Sequence, residues 1–283
     1  MLRRVLRLLR PMSDRLPWAA RAYRGVRDRW AVTGTPVMTT MGFRFYGIRS
    51  MMDGTFEAEE TATIRALLQH SDLFVNVGAN IGYYCCHACQ LGVPVIAFEP
   101  IPLNREALSR NLAANGWTDR VDVRALAVSD RAGEATIYGS RLGASLIPGW
   151  ADTPEHYSTR VVLSTLDDAI AARTANQRVV ILVDIEGAER RMLDGASQVL
   201  RGSPRPTWII EIAVSENQPA GTAINPELTS TFEVFWALGY EARTADRAHR
   251  LITRDEVRAV AATGRDTFGC HNFLFQDPAI LRA

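Results

Sequence analysis

Residues 74–100 read FVNVGANIGYYCCHACQLGVPVIAFEP. Two short apolar runs, Phe74–Val77 and Val95–Phe98, flank a stretch of helical character. The first run ends on Gly78-Ala79-Asn80-Ile81-Gly82 and the second on Glu99. In an open α/β sheet, ligands bind outside the carboxyl ends of the strands, where the strand order reverses. Gly78 and Gly82 fall where the first strand turns into its helix. Glycine permits positive φ and leaves no Cβ in a ligand's way, and the first helical turn offers N–H groups without intrahelical partners. Glu99 comes 21 residues after Gly78. That spacing suits a carboxylate that accepts hydrogen bonds from both hydroxyls of an adenosine ribose.

Outward from this unit the same alternation continues. A helix over 57–70 precedes it. A helix over 103–115 and a strand over 121–128 follow, then a hairpin-like insert with a strand over 134–138 and the small-residue turn Gly143-Ala144-Ser145. A strand over 160–163 leads into a short helix near 166–172. The pattern resumes with strands at 179–183, 207–212, 240–243 and 271–275 and helices at 187–200, 227–238 and 254–262. Repeated strand–helix units imply an α/β fold with a doubly wound parallel sheet covered on both faces.

The turn also discriminates between adenosine cofactors. A dinucleotide fingerprint needs Gly-x-Gly-x-x-Gly, but counting from Gly78 the second and third glycine positions are Asn80 and Tyr83. Close approach of a pyrophosphate suffers, which counts against an NAD(P)-dependent oxidoreductase. Asn80 instead offers a polar side chain. The pattern suits a cofactor with an amino-acid tail and no phosphate, S-adenosylmethionine. A non-catalytic cofactor-binding module is a third reading.

The runs VNVGANIG, AFEPIPLNREALSRNLAANG, ALAVSD, GASLI, STLDDAI and LVDIEGAERRMLDGA, in this order, resemble the FkbM-type methyltransferase family over roughly residues 57–275. The resemblance implies the class I, Rossmann-like methyltransferase fold, mostly parallel with an antiparallel last strand. It also implies methyl transfer to oxygen, on a hydroxyl of a carbohydrate or secondary metabolite. Carried over residue by residue, it places Gly78, Asn80 and Gly82 along the methionine part of the cofactor. Glu99 falls at the ribose, and Ala127, Ser129 and Asp130 near the adenine. Asn76 stands where such proteins often have Asp, so an acceptor is kept and a charge is lost.

Further acids follow the later strands. VVILVDIEGAE places Asp184 and Glu186 at the carboxyl end of the fourth strand, and PTWIIEI places Glu211 at the end of the fifth. Carboxylates gathered at one rim repel unless one is protonated, one is paired or a cation is present. Methyl transfer needs an aligned nucleophile and, for an alcohol, a group that accepts its proton. Asp184 leads for substrate orientation or base work, with Glu186 and Glu211 next. His156, in the polar stretch 148–158, is a candidate contact to the acceptor. The spacing of Asp184 and Glu211 resembles magnesium-dependent O-methyltransferases, but Ile212 stands where those have Asn. A divalent metal is therefore not favoured. Cys85, Cys86, His87 and Cys89, with Cys270 and His271 elsewhere, invite a zinc reading, but they sit on a helix that packs on the sheet, and core packing is expected.

The bulk properties fit one large domain with an appendage: 283 residues, 47% of them hydrophobic. All 32 basic residues are arginine, which suggests a bacterial source. Residues 1–30 hold nine arginines against two aspartates, while the rest is net acidic, a balance that does not suit a nucleic-acid enzyme. Residues 1–35 are expected to form a basic amphipathic helical arm, suited to peripheral membrane contact or to packing on the domain's own flank. Residues 36–283 are expected to form the methyltransferase domain, with a cofactor half over 57–130 and a substrate and catalytic half over 131–275. Four cysteines without a disulfide framework suit a reducing, cytoplasmic setting. No apolar run is long enough for a transmembrane helix.

Overall fold

The computed structural model describes residues 34–140 and 143–279. The basic arm expected over residues 1–35, apart from its last two residues, lies outside the described residues. Among the described residues no helix is long and apolar enough to cross a membrane.

The chain opens with two short paired strands, β1 (Val37–Met38) and β2 (Arg44–Phe45), and two helices, α1 (Arg49–Asp53) and α2 (Ala58–Leu68). The Rossmann-like unit follows: β3 (Leu73–Val77), α3 (Tyr83–Gln90), β4 (Val95–Phe98), α4 (Pro102–Ala113) and β5 (Val121–Arg124). Next come β6 (Ala127–Val128), β7 (Gly133–Tyr138), β8 (Ser158–Ser164) and α5 (Leu166–Thr174). The second half contains β9 (Val179–Val183), α6 (Glu189–Asp194), α7 (Ser197–Leu200), β10 (Thr207–Glu211) and α8 (Leu228–Ala237). It closes with β11 (Glu241–Thr244), β12 (Leu251–Ile252), α9 (Arg254–Thr263) and β13 (Asn272–Gln276).

The main sheet runs β12-β11-β13-β10-β9-β3-β4-β5. Strands β5, β4, β3, β9 and β10 are mutually parallel, and the last strand, β13, lies antiparallel between β10 and β11. From β3 the chain crosses to β4 on one side and later to β9 on the other. The strand order therefore reverses between β3 and β9, at their carboxyl ends.

Period-two burial assigns each strand residue to one of two cores. Leu73, Val75 and Val77 of β3 and Val179, Ile181 and Val183 of β9 pack on the side of α5 to α8. Phe74 of β3 and Val180 and Leu182 of β9 pack on the side of α2, α3 and α4. Both faces are covered, so near-continuous apolar runs form these parallel strands.

Two sequence expectations need correction. The strand expected over 121–128 is two strands in different sheets. After Arg124 the chain leaves β4 and pairs in parallel with β8 through Ala127 and Val128, in a three-stranded sheet of order β6-β8-β7. The helix expected over 187–200 is likewise two short helices, α6 and α7, separated at Gly195 and Ala196. A Cβ at Gly195 would stand 2.2 Å from the Ser129 backbone oxygen. The chain comes too close to its neighbour there for any larger residue.

Candidate active site

The turn after β3 is held by its neighbours in the sheet. The Gly78 and Ala79 N–H groups both donate to the Phe98 carbonyl, at 3.0 and 2.9 Å. Gly78 has φ +90°, and a Cβ on it would stand 1.9 Å from the Asp184 backbone oxygen. Asn80 takes the left-handed region without being glycine, at φ 49°. This conformation points the Asn80 N–H at the Glu99 carboxylate, to which it donates at 2.8 Å. The other carboxylate oxygen of Glu99 accepts from the Ile101 N–H at 2.8 Å. Glu99 is buried, and burial pushes its carboxyl up to about 7, opposed by the Ile101 and Asn80 hydrogen bonds. Its two oxygens take these two backbone N–H groups and a hydrogen bond from Asn104, which leaves acceptor capacity for a hydroxyl.

One cleft joins this turn to the later strands. It is lined by Gly78, Asn80, Glu99, Ala127, Asp184 and Glu186, with the apolar side chains of Phe98, Ile101, Leu126, Ile137 and Leu146 around them. The small sheet supplies the apolar wall. Ile101, Ala127, Ile137, Val161 and Leu163 form its own core and hold β6 beside the cleft.

The acids at the ends of β9 and β10 meet here. Asp184 stands exposed in the cleft, yet protein crowds its surroundings. That desolvation, then the Glu211 charge and a hydrogen bond to Glu211, hold its carboxyl well above the usual carboxylate range. Glu186 has φ 56° and is clamped from outside. Trp150 Nε1 donates to Glu186 Oε2 at 2.7 Å, and Ser145 Oγ donates to the Glu186 carbonyl at 2.5 Å. Burial pushes Glu186 up to about 7, partly offset by the Trp150 hydrogen bond. The Trp150 ring covers Gly187 so closely that a Cβ there would stand 2.4 Å from a ring carbon. The GASLI turn and Trp150 thus fix the orientation of Glu186.

Not every expected site residue reaches the cleft. Asn76 is buried on the α3 side of β3, where its Nδ2 lies 3.5 Å from Cys85 Sγ. Strand alternation explains this: Asn76 shares the face of Phe74, not that of Val75 and Val77. Gly82 starts α3 behind the turn and presses on Leu108. Ser129 and Asp130 also stay out of the lining. The Ser129 N–H donates to the Ser164 carbonyl at 2.9 Å, and Ser129 Oγ donates to Asp130 Oδ1 at 2.9 Å. The chain turns away from the cleft as it leaves β6. His156 is exposed on the loop before β8 and does not line the cleft. Cys85, Cys86 and Cys89 are buried in the core on α3, and Cys270 sits apart near β13, so these thiols pack as expected.

Sequence reasoning missed three residues. Glu57 precedes α2 at φ 40°, and Tyr84 Oη donates to its Oε2 at 2.6 Å. Burial raises Glu57 to about 7, and the Glu211 charge adds to this. Glu189 is buried at the start of α6 and accepts from the Gly187 N–H at 2.9 Å. Its carboxyl is pushed up to about 8 by burial. Trp150, the third, stands in a polar stretch, and only its burial in the fold marks it out.

The sheet order, the antiparallel last strand and the cleft at the switch point define a class I methyltransferase fold. The family model described as "Methyltransferase FkbM domain" matches residues 76–242, and the chain belongs to this family. The 31-O-demethyl-FK506 methyltransferase FkbM of Streptomyces tacrolimicus is 31% identical over 182 residues, which span 50% of this chain and 68% of that protein. Among solved structures, the methyltransferase FkbM from Methylobacillus flagellatus superposes with a TM-score of 0.43 at 14% identity, over 92% of this chain and 60% of that one. An O-methyltransferase from Bacillus cereus in complex with SAH gives a TM-score of 0.41 at 11% identity, over 77% of this chain and 79% of that one.

Proposed function

We propose that the protein is an S-adenosylmethionine-dependent O-methyltransferase acting on a hydroxyl of a carbohydrate or secondary metabolite. The observation that carries the reading is Glu99. Its carboxylate is fixed by two backbone N–H groups and lines the same cleft as Gly78 and Asp184. The residues present fit the cofactor. Glu99 would take the ribose hydroxyls, and the apolar wall of Phe98, Ile101, Leu126 and Ala127 would receive the adenine. The turn at Gly78 and Asn80 would border the methionine part.

When bound, the cofactor supplies an electrophilic methyl group on a sulfonium. The chain supplies alignment, water exclusion and a place for the acceptor's proton. Glu186 suits the last role. Trp150 holds its Oε2 and leaves Oε1 to accept, and a carboxyl pushed up to about 7 is matched to proton transfer near neutral pH. Asp184 keeps its proton more firmly and donates to Glu211, so that pair suits orientation of the acceptor hydroxyl.

The test is calorimetric titration of S-adenosylhomocysteine and NAD separately into the protein, repeated with Glu99→Ala. The reading expects tight binding of the first ligand, weakened about 10- to 100-fold by the substitution, as for a lost charge-assisted pair. Binding of NAD in its place, or an unchanged affinity in the variant, removes it.

A further inference from the structure

The cleft has two unlike walls. β7 and the GASLI turn present Ile137, Ala144 and Leu146, whereas Asp184 and Glu186 present carboxyl groups, and no arginine is among the lining residues. Behind these two stand two more acids: Glu211, which accepts a hydrogen bond from Asp184, and Glu57, which feels the Glu211 charge and whose own charge is felt at Asp184. The four come from the ends of β9 and β10 and the start of α2. Two are fixed in place, Glu57 by Tyr84 and Glu186 by Trp150. Glu57 holds its position in a left-handed conformation that is strained for a non-glycine residue. Among the described residues no ion pair reaches Glu57, Asp184, Glu186 or Glu211. Carboxylates so placed repel one another, and a bound cation relieves that repulsion.

We propose that this acidic wall selects the charge state of the cofactor, holding the methyl-bearing sulfonium in preference to the neutral thioether left after transfer. The inference rests on the cofactor reading above. The ammonium and carboxylate of the methionine part are common to both forms, so the wall discriminates through the charge at sulfur alone. Product release is favoured by the same charges that favour loading.

The preference depends on pH. Asp184 faces Glu211, Glu186 and Glu57; Glu57 faces Tyr84, Glu211, Glu60 and His271; Glu186 faces Trp150 and Glu211; and the buried Glu189 faces Glu211 and Glu186. Only His271 among these opposes the rise in Glu57 as a positive charge. Glu57 and Glu186, each pushed up to about 7, are half protonated near neutrality. A cation in the cleft expels those protons, so its affinity relative to that of a ligand neutral at sulfur grows as pH rises through 7.

Calorimetry with S-adenosylmethionine, S-adenosylhomocysteine and sinefungin tests this. Sinefungin carries an amine in place of the methyl-sulfonium and is cationic without a transferable methyl. At about pH 8 both cations are expected to bind about tenfold tighter than S-adenosylhomocysteine, and at about pH 6 only about twofold tighter. Heats in two buffers of different ionisation enthalpy should show more proton release for the cations than for S-adenosylhomocysteine, since any proton displaced from Glu99 by the ribose is common to all three. Glu186→Gln and Glu57→Gln should each reduce the pH 8 ratio about threefold while S-adenosylhomocysteine still binds, which also reports that the variants fold. A ratio near one at both pH values, or one unmoved in both variants, overturns the inference and leaves the cofactor reading standing. If none of the three ligands binds, the cofactor reading falls and takes this inference with it.

Discussion

A Cβ placed on Gly78 would stand 1.9 Å from the backbone oxygen of Asp184. The glycine that follows β3 and the acid that follows β9 are therefore one structural unit. The sheet brings their two turns into contact at the point where strand order reverses. Glycine is required at 78 less to admit a ligand than to admit the neighbouring turn. Asp184 owes its place in the cleft to that contact.

Gly78→Ala should therefore cost more than backbone strain. Gly92 has nearly the same φ, +83° against +90°, but nothing lies within 4 Å of a Cβ there. Gly92→Ala is expected to cost about 1 kcal/mol from the left-handed conformation alone. Gly78→Ala adds a clash with backbone, about 3 kcal/mol in all, and should abolish S-adenosylhomocysteine binding. Denaturant titration of both variants gives the comparison. Equal losses would show that the Gly78–Asp184 contact relaxes freely.

Trp150→Phe tests the clamp on Glu186. Phenylalanine retains a ring over Gly187 but cannot donate to Glu186 Oε2, now served by Trp150 Nε1 at 2.7 Å. Leaving a partly buried carboxylate without its donor costs about 2 kcal/mol. Glu186 is pushed up to about 7, so it is neutral in mild acid and charged at about pH 8. The destabilisation should be clearly larger at pH 8 than at about pH 5.5. A loss independent of pH would mean that Trp150 serves only as filler.

The raised carboxyls set how the whole molecule responds to pH. Burial pushes Glu57, Glu99 and Glu186 up to about 7 and Glu189 up to about 8. Between the unfolded value of 4.5 and these values the folded state binds more protons than the unfolded state. Stability therefore falls as pH rises through that window. Asp72, drawn down to about 2 by hydrogen bonds from Arg178, acts in the opposite sense, but only in stronger acid. The melting temperature is expected to be higher near pH 5 than near pH 8. Glu189→Gln keeps an acceptor for the Gly187 N–H and removes the buried charge, so it should raise the melting temperature at pH 8 and leave it unchanged at pH 5. A melting curve that rises toward pH 8 would contradict this.

The alternation of apolar runs made the sheet legible, because parallel strands buried on both faces leave a strong pattern. Val95–Phe98 and Val179–Val183 have the bounds that the sequence implies. The strand expected over 121–128 did not, because nothing local marks the point after Arg124 where the chain leaves one sheet for another. At the site, Glu99, Gly78, Asn80, Asp184 and Glu186 were legible as residues at strand ends. Asn76 was misplaced although the information was present: it lies one residue from Val77 on a period-two strand and so faces away from it. Glu57 could not be found this way. It reaches the acids only because α2 packs beside α3 and Tyr84 captures it, a contact between residues 27 apart in sequence.

The thiols give a last test, of the packing beneath the glycine turn. Cys85, Cys86 and Cys89 lie on α3 and are at most 1% exposed, whereas Cys270 near β13 is 8% exposed. Burial pushes the Cys85, Cys89 and Cys270 thiols up to about 12, and Cys86 well above its usual value. Only the thiolate reacts, so at about pH 8 Cys85, Cys89 and Cys270 each carry on the order of one part in ten thousand of the reactive form. A chromogenic disulfide reagent should label Cys270 first and slowly. The three on α3 should follow only when the helix lifts from the sheet, and all four should react at once in denaturant. Labelling on α3 should slow further when S-adenosylhomocysteine is present, because the turn that starts α3 also borders the cleft and ligand binding suppresses its opening. Fast labelling of an α3 cysteine in the native protein would show that the turn is not the rigid platform that its hydrogen bonds to the Phe98 carbonyl imply.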